Sequence, residues 1–461
     1  MHVGGVRTAL FAWLTARQKG GAFVLRIEDT DKSREVKGAE QHIIESLRAL
    51  GLDWDEGPDT GGPYGPYRQS ERLDIYKKWA QRLIDQGRAY ADPYTQDDMK
   101  RFREEATSAK RPFLYRDHRP ADPPDWDGTM PLRFKSDPKA YGRTDLVMGN
   151  LQTGPEMIDD FIMIKSDGYP TYNFAHIVDD TEMKISTVIR GQEFLASIPN
   201  YLNMYEALAI EPPAMATMPH ILGPDGKKKL SKRDGAKDVL DYIREGFLPD
   251  ALLNFIASLG WNDGSEQELF SKQNLIEKFS LNRVQSSGAR FDERRLLWMD
   301  GAHIRELIPD ELVAHCKPFW PKAAEGADDT YKQHVALLVQ DRIKYFAELP
   351  DLTTFFFVDL PLNPELIRGH KQLSKLPTAR LHELLEISLS SLEKSNFTAE
   401  QLQATLNMLL ETTNEKPAVL FSLIRIATTQ AAASPGLADT LALLGRDRSL
   451  NRIRIQLDAL K

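Results

Sequence analysis

Val6, Ala9, Leu10, Trp13 and Leu14 recur at helical spacing while Arg7 and Arg17 fall off that stripe, so the chain opens with a helix whose first turn begins at Gly4 and Gly5. The apolar run Ala22 to Ile27 then reads as a strand. Ile43, Ile44, Leu47 and Leu50 mark one face of a helix over about 37–50. A segment rich in Gly and Pro, Gly57 to Pro66, breaks the pattern before a helix over about 70–87. From there to about residue 151 the sequence is turn-rich and polar, with Pro120, Pro123 and Pro124 close together. Strand-like runs return at Phe161 to Ile164 and Ile185 to Ile189, with an Asp167-Gly168 turn and the segment Tyr172 to His176 between them. One helical stretch covers Val239 to Gly260. Beyond residue 310 nearly everything reads as helix, at 381–392, 402–412, 420–427, 441–444 and 450–460. The first part thus predicts an α/β domain with a Rossmann-like, doubly wound parallel sheet, whose ligands bind beyond the carboxyl ends of its strands. The last part predicts an all-α region of two packed subdomains.

Composition narrows the picture. The chain has 461 residues, 41% of them hydrophobic, enough for several cored domains. No uninterrupted apolar run approaches the roughly 18 residues of a membrane span, and the run from Ala9 to Leu14 is too short and amphipathic for a signal peptide. The single cysteine, Cys316, excludes an internal disulfide and any multi-cysteine zinc site, and fits a reducing, cytoplasmic setting. Acidic residues outnumber basic ones, 67 to 59, so any nucleic-acid contact must come from local basic faces.

One such face is Lys227-Lys228-Lys229-Leu230-Ser231-Lys232-Arg233, which comes after a Pro-Asp-Gly turn at 224–226. Ammonium groups, a hydroxyl and backbone N–H groups converging on one turn suit a polyphosphate; a solvated basic turn is the alternative. His2-Val3-Gly4-Gly5 is a second candidate, because a helix N-terminus carries partial positive charge and glycine lets a phosphate approach the backbone. There is no GxxxxGK[ST], no HExxH, no nucleophile elbow and no internal repeat.

Taken together, HxGG at a helix start and the later KLSKR resemble the paired signatures of class I aminoacyl-tRNA synthetases. With Arg26-Ile27-Glu28-Asp29-Thr30-Asp31, Gly65-Pro66-Tyr67-Arg68-Gln69-Ser70-Glu71-Arg72, Ser166-Asp167-Gly168-Tyr169-Pro170-Thr171-Tyr172 and Val188-Ile189-Arg190, the chain resembles bacterial-type glutamyl-tRNA synthetases over nearly its whole length. The resemblance implies a catalytic sheet domain in two halves, 1–65 and 161–235, split by an acceptor-stem-binding insertion at 66–160. After them come a stem-contact domain at 236–310 and α-helical anticodon-binding domains at 311–461. It also implies roles. His2, Lys229 and Lys232 would be catalytic, with Gly4, Gly5 and Ser231 joining them around ATP and its Mg2+. Glu28 would take the amino group of glutamate and Arg190 its side-chain carboxylate, with Tyr172 and His176 lining the pocket; relatives often carry Asn at the last position. On the residues alone, Glu28 and Asp29 also suit a helix cap, and Arg190 an ion pair with Asp179, Asp180 or Glu193. Arg290, Arg294, Arg295, Arg305, Arg446, Arg448, Arg452 and Arg454 are candidate tRNA contacts. Some relatives hold zinc in the insertion; this sequence has no cysteine there, and lone His118 reads as a surface histidine, so no zinc is expected.

The implied reaction is attack of the glutamate α-carboxylate on the ATP α-phosphate, then transfer of the glutamyl group to tRNA(Glu), in a monomer that requires bound tRNA for activation. The carboxylate is already a nucleophile, so catalysis reduces to aligning anions and neutralising charge. Charging of tRNA(Gln) as well is left open. Relatives have about a dozen residues before HxGG, including a strand with an Arg and a Ser-Pro-Thr-Gly turn, and the sequence as written lacks them. A catalytically inactive tRNA-binding relative is therefore the main alternative. A small-molecule nucleotidyltransferase and a tRNA-Asp-modifying paralogue fit the long helical C-terminal region less well.

Overall fold

Helix Val3–Lys19 starts where His2 Nδ1 accepts the N–H groups of Gly4 and Gly5, at 3.0 and 3.4 Å, and stops at Gly20, which adopts a left-handed φ of 63°. Val6, Leu10, Trp13 and Leu14 of the predicted stripe are buried along it and Ala9 is half-buried, while Val3, Phe11 and Arg7, which the stripe left out, are buried as well. The structure, a computed structural model, describes residues 1–32, 36–231 and 237–461. Two units are present. The first joins Met1–Asp241 to Leu252–Glu293, and the second joins Tyr242–Ala251 to Arg294–Lys461.

The first unit is α/β, but its sheet is made in small pieces. Thr187–Gly191 and Ala214–Met218 pair in parallel, and Ile221–Leu222 pairs in parallel with Ala289–Arg290. The predicted strand over 22–27 forms only isolated parallel bridges, Val24 to Glu56 and Ile27 to Arg68. Its backbone bonds run to Glu56 and Tyr67, and among the described residues none reaches 185–191. Instead the two segments line a common cleft of about 520 Å³, together with Ala12, Thr15 and Ala16 of the first helix.

Two expectations give way to the tertiary structure. The run at 161–164 does not join the parallel sheet: Ile162–Ile164 closes an antiparallel sheet with Leu132–Phe134 and Ala89–Ala91. A short apolar run carries no information about its partner. The segment from Tyr172 opens a helix, Tyr172–Glu182, after Thr171 in extended conformation. The turn-rich stretch also holds a helix, Gln96–Ser108, begun by a capping box between Thr95 and Asp98, and the hairpin Tyr141–Asp145 with Gly149–Thr153. Tyr76, Leu83, Phe134, Met163, Phe174, Ile177 and Tyr201 share one core that ties these elements together.

The second unit is helical throughout its described length. Helices Thr378–Leu392, Ala399–Thr413, Pro417–Thr429, Leu437–Leu444 and Arg446–Asp458 coincide with the predicted ones. Two apolar clusters hold it, one around Ile304, Val335 and Phe356, the other around Leu384, Leu406, Leu423 and Ile453. The predicted helix over 239–260 is broken into Val239–Arg244 and Pro249–Ser258. Gly246 has φ +82°, and a Cβ there would lie 2.7 Å from both Phe319 and Phe346, so the turn between the two helices needs glycine here, and Pro249 opens the second one.

Asp300 is fully buried in this unit. One carboxyl oxygen accepts the Leu248 N–H at 2.9 Å and the other has no partner. Burial raises its pKa to about 8, against a smaller lowering by the Leu248 hydrogen bond. The folded pKa lies above the unfolded value, so the stabilising contribution is complete below about pH 4 and is lost as pH rises toward 8. Asp300→Asn is therefore expected to raise Tm at pH 8 by an amount worth on the order of 2 kcal/mol, with the gap closing at pH 4. Melting curves across that range check it; a gap independent of pH would contradict the assignment.

Candidate active site

The basic segment folds as a hairpin. Gly223 donates to the Lys228 carbonyl and Leu230 to the Ile221 carbonyl, at 2.8 Å each. Asp225 closes the turn by accepting the N–H groups of Lys227 and Lys228, which together with nearby cations hold its carboxyl below the usual range. Asp225 also meets the charges of Lys228 and Arg290, so the turn carries one acid against several cations. Arg290 lies beside the same turn, its Cδ 3.9 Å from where a Gly226 Cβ would stand. This arginine thus joins the basic hairpin.

Elements from both ends of the first unit bring the hairpin toward the first helix. Arg7 donates to the carbonyls of Leu259, at 3.0 Å, and Pro219. Half-buried His220 has its pKa lowered, first by burial and then by the charge of Lys229, with Glu193 opposing and Arg7 contributing. After the hairpin the chain returns alongside the helix start, where His2 and Asp238 form an antiparallel bridge and Val239 donates to the Met1 carbonyl at 2.9 Å. His2, Gly4, Gly5, Lys229 and Ser231 thus belong to one region. Lys232 lies outside the described residues.

A second group forms where Thr187–Gly191 meets helix Tyr172–Glu182. Arg190 is 6% exposed, and two of its guanidinium nitrogens, Nε and Nη1, are buried without a hydrogen-bond partner. The ion pair that the sequence left open does not form: Arg190 makes none with a described residue. Asp179 is taken by Arg72 at 2.7 Å, Gln69 and Tyr76, and Asp180 by Arg26 at 2.9 Å. Rings of Tyr201 and Phe194 lie 5.5 and 5.6 Å from the guanidinium, which leaves it partly desolvated and attractive to an anion.

His176 is buried beside it, stacked on Tyr172 at 4.7 Å and edge-on to Tyr201 at 4.4 Å. Burial holds its pKa well below 6.5, with the charge of Arg190 adding to the effect, so the ring is neutral. Nδ1–H donates to the Tyr172 carbonyl at 2.7 Å, which leaves Nε2 as a bare acceptor with no partner. Burial raises the pKa of Tyr172; the charges of Arg190 and Glu28 both act on it, with opposite sign, so both lie within electrostatic reach of the Tyr172 and His176 stack. Glu28 itself pairs with Arg26 at 3.2 Å, whereas Asp29 is used structurally, accepting the Ser70 N–H at 2.8 Å and its hydroxyl at 2.5 Å.

Sequence reading missed Tyr201, Tyr205 and Arg143. Tyr205 has an unpartnered buried hydroxyl, and Arg143 is close enough to Arg190 for their charges to repel. No motif marks them; only the fold brings them to the pocket.

The arginines of the last helix depart from expectation. Arg452 is buried and donates to the carbonyls of Thr428, Phe355 and Val358 and to Asp359, at 2.5 to 2.9 Å. A guanidinium with its donors spent on buried carbonyls is a structural tie and cannot meet RNA. Arg446 and Arg448 similarly donate to the carbonyls of Ser395 and Phe356, each at 2.6 Å. Arg454 is exposed and pairs with Glu393 at 2.7 Å. Arg294, Arg295 and Arg305 are exposed along helix Glu293–Glu306. His118 is not a simple surface histidine: it stacks on Phe102 at 4.1 Å and on Phe113 at 5.8 Å. Among the described residues no three His, Cys, Asp or Glu side chains gather as a metal site, and no helix is long and apolar enough to cross a membrane.

Known proteins resemble the chain in sequence and in fold. Residues 1–298 match the catalytic domain of class I tRNA synthetases (E and Q), and residues 311–457 match an anticodon binding domain. A glutamate–tRNA ligase of Dehalococcoides mccartyi is 40% identical over 98% of this chain and 93% of its own length. One from Moorella thermoacetica is 38% identical over 98% and 94%. The crystal structure of a glutamate tRNA ligase from Elizabethkingia meningosepticum, in complex with its amino acid, superposes with a TM-score of 0.87 at 30% identity, covering 100% of this chain and 97% of that one.

Proposed function

The chain belongs to the glutamate–tRNA ligase family of class I tRNA synthetases, and on that premise we propose how its residues attach glutamate to tRNA. Arg190 receives the side-chain carboxylate of glutamate. The observation that carries this is a buried guanidinium with two unpartnered nitrogens, since a desolvated charge of that kind is costly until an anion meets it. Neutral His176 adds no further positive charge beside Arg190 and offers Nε2 to a donor, while Glu28 faces the substrate ammonium.

ATP lies with its phosphates against the first turn of helix Val3–Lys19, where Gly4 and Gly5 leave the backbone open to an anion, and near the ammonium group of Lys229, with Lys232 joining on its place in the motif alone. Magnesium, which phosphate oxygens would hold, supplies further charge neutralisation. The protein's own work is positional: it aligns the α-carboxylate with the α-phosphate, and its cations take up charge that builds as pyrophosphate leaves. Residues 66–160 serve the acceptor end of the tRNA, 236–310 its stem and 311–461 its anticodon region. The enzyme acts as a monomer on tRNA(Glu).

Charging assays with labelled glutamate and separate tRNA(Glu) and tRNA(Gln) transcripts test the assignment. Glutamate is expected on tRNA(Glu); attachment to tRNA(Gln) would widen the substrate range. Absence of charging on either would remove the catalytic reading and favour a non-catalytic tRNA binder.

A further inference from the structure

Arg190 stands opposite Thr217 where Thr187–Gly191 and Ala214–Met218 pair in parallel, so the side chains of the two leave the same face of the sheet. The hairpin Tyr141–Asp145 with Gly149–Thr153 is anchored on that Thr217. Asp145 accepts the Thr217 N–H at 3.0 Å and its hydroxyl at 2.7 Å, and the N–H groups of Val147 and Met148 at 3.0 Å each. A further bond, from Arg143 Nη2 at 2.6 Å, ties down the arginine two residues back on the same strand. Arg143 is thereby held within electrostatic reach of Arg190.

Holding two desolvated guanidiniums this close is unfavourable unless an anion joins them. The Arg143 side chain is 12% exposed; burial lowers its pKa, Asp145 opposes that, and the charge of Arg190 adds to the lowering. The acids nearby are committed. Asp145 meets Arg143 through one nitrogen only, while Asp179 pairs with Arg72 and Asp180 with Arg26. Nε of Arg143 and both Nε and Nη1 of Arg190 stay buried without a partner, and neutral His176 supplies no negative charge. Unmet N–H donors on two like charges call for an acceptor that carries a full negative charge.

We propose that Arg143 is a second specificity-determining arginine of the glutamate pocket, its charge acting with that of Arg190 so that the pocket takes a side-chain carboxylate and rejects the uncharged amide of glutamine. A carboxylate placed at Arg190 relieves the repulsion between the two guanidiniums. An amide of the same size leaves that repulsion standing and brings N–H donors toward donors. Asp145 and Thr217 position the arginine, because their bonds fix the hairpin strand on the sheet edge next to Arg190. The inference rests on the glutamate site proposed above at Arg190.

The test is equilibrium dialysis of the full chain, with tRNA(Glu) present, against labelled L-glutamate, with L-glutamine read as a competitor. The ratio of the two Kd values does not depend on what fraction of the protein is folded. Arg143→Gln, which can still donate to Asp145, is expected to weaken glutamate binding by about 10-fold and glutamine binding by less than about 2-fold, the scale of one unit charge in a partly desolvated site. Arg143→Lys keeps the charge and should hold the preference within about 3-fold. ATP affinity should be unaltered in both. A merely structural arginine would behave differently, since a loosened hairpin weakens both amino acids alike and leaves their ratio where it was. An unchanged ratio in Arg143→Gln, or a loss in Arg143→Lys as large as in Arg143→Gln, overturns the proposal. Should Arg143→Gln not fold, Arg143→Lys decides alone, and loss of the preference there overturns it. Arg190→Leu in the same assay tests the pocket itself. Undiminished glutamate binding in that variant removes the site and this inference together, whereas lost binding beside an unchanged Arg143→Gln ratio removes only the role of Arg143.

Discussion

Replacing Arg190 with leucine is expected to lower kcat/KM for glutamate by about 10²- to 10³-fold while leaving Tm unchanged or higher. The loss comes from taking one partner away from a buried carboxylate, which costs about 3–5 kcal/mol. The unusual part is stability. Arg190 is buried with Nε and Nη1 unpartnered and makes no described ion pair, so the folded protein bears its desolvation without return until substrate binds. An apolar side chain of similar length removes that burden. Arg190→Lys should also raise the glutamate requirement far more than the ATP requirement, because an ammonium cannot copy the two-pronged contact of a guanidinium with a carboxylate. Steady-state kinetics for both substrates, together with melting curves, separate the two readings. A structural arginine would show a lower Tm in the leucine variant and an unaltered KM for glutamate; that combination would refute the assignment.

Lys229→Ala should reduce glutamyl-adenylate formation by about 10²-fold and leave the Kd for tRNA(Glu) within a factor of two. The lysine stands on a hairpin whose single acid, Asp225, answers to Lys228 and Arg290, and no ion pair joins Lys229 to a described residue. One charged donor aimed at a developing phosphate charge contributes on the order of 3 kcal/mol of barrier. Lys232→Ala is expected to behave alike, on its place in the same basic motif. Pyrophosphate exchange in the presence of tRNA measures the step directly. Equal exchange by variant and parent would return the hairpin to the solvated basic turn that its composition alone permits.

How much of the fold is legible in the residues differs from element to element. Helices of the second unit are, because an apolar stripe at helical spacing is a local property; Leu384, Leu406, Leu423 and Ile453 lie where the pattern puts them. The break near Gly246 is marked locally, by Gly246 at a left-handed φ and by Pro249 opening the next helix, but the continuous apolar spacing over 239–260 masks it. Strand partners are also beyond reach. The apolar run at 162–164 looks the same whether it joins a parallel or an antiparallel sheet, and only pairing with Leu132–Phe134 decides. The capping box at Thr95 and Asp98 is a local signal, yet the surrounding turn-rich composition masks the helix it starts.

The same division holds for the site. On the residues alone a Gly-containing helix start and a basic turn point His2, Gly4, Gly5 and Lys229 toward phosphate, whereas Glu28 and Arg190 are picked out only by the family resemblance. Which arginines are spent and which are available is another matter. Arg190 and Arg452 are alike in composition and both buried, yet one holds unpartnered nitrogens in a pocket and the other is tied to three carbonyls and Asp359. Nothing local distinguishes them. The sequence by itself determined the class of elements, the family and the kinds of side chain that face phosphate. Only the tertiary structure decided which charges stay unpaired, because the partner that neutralises a charge is chosen by distance in space.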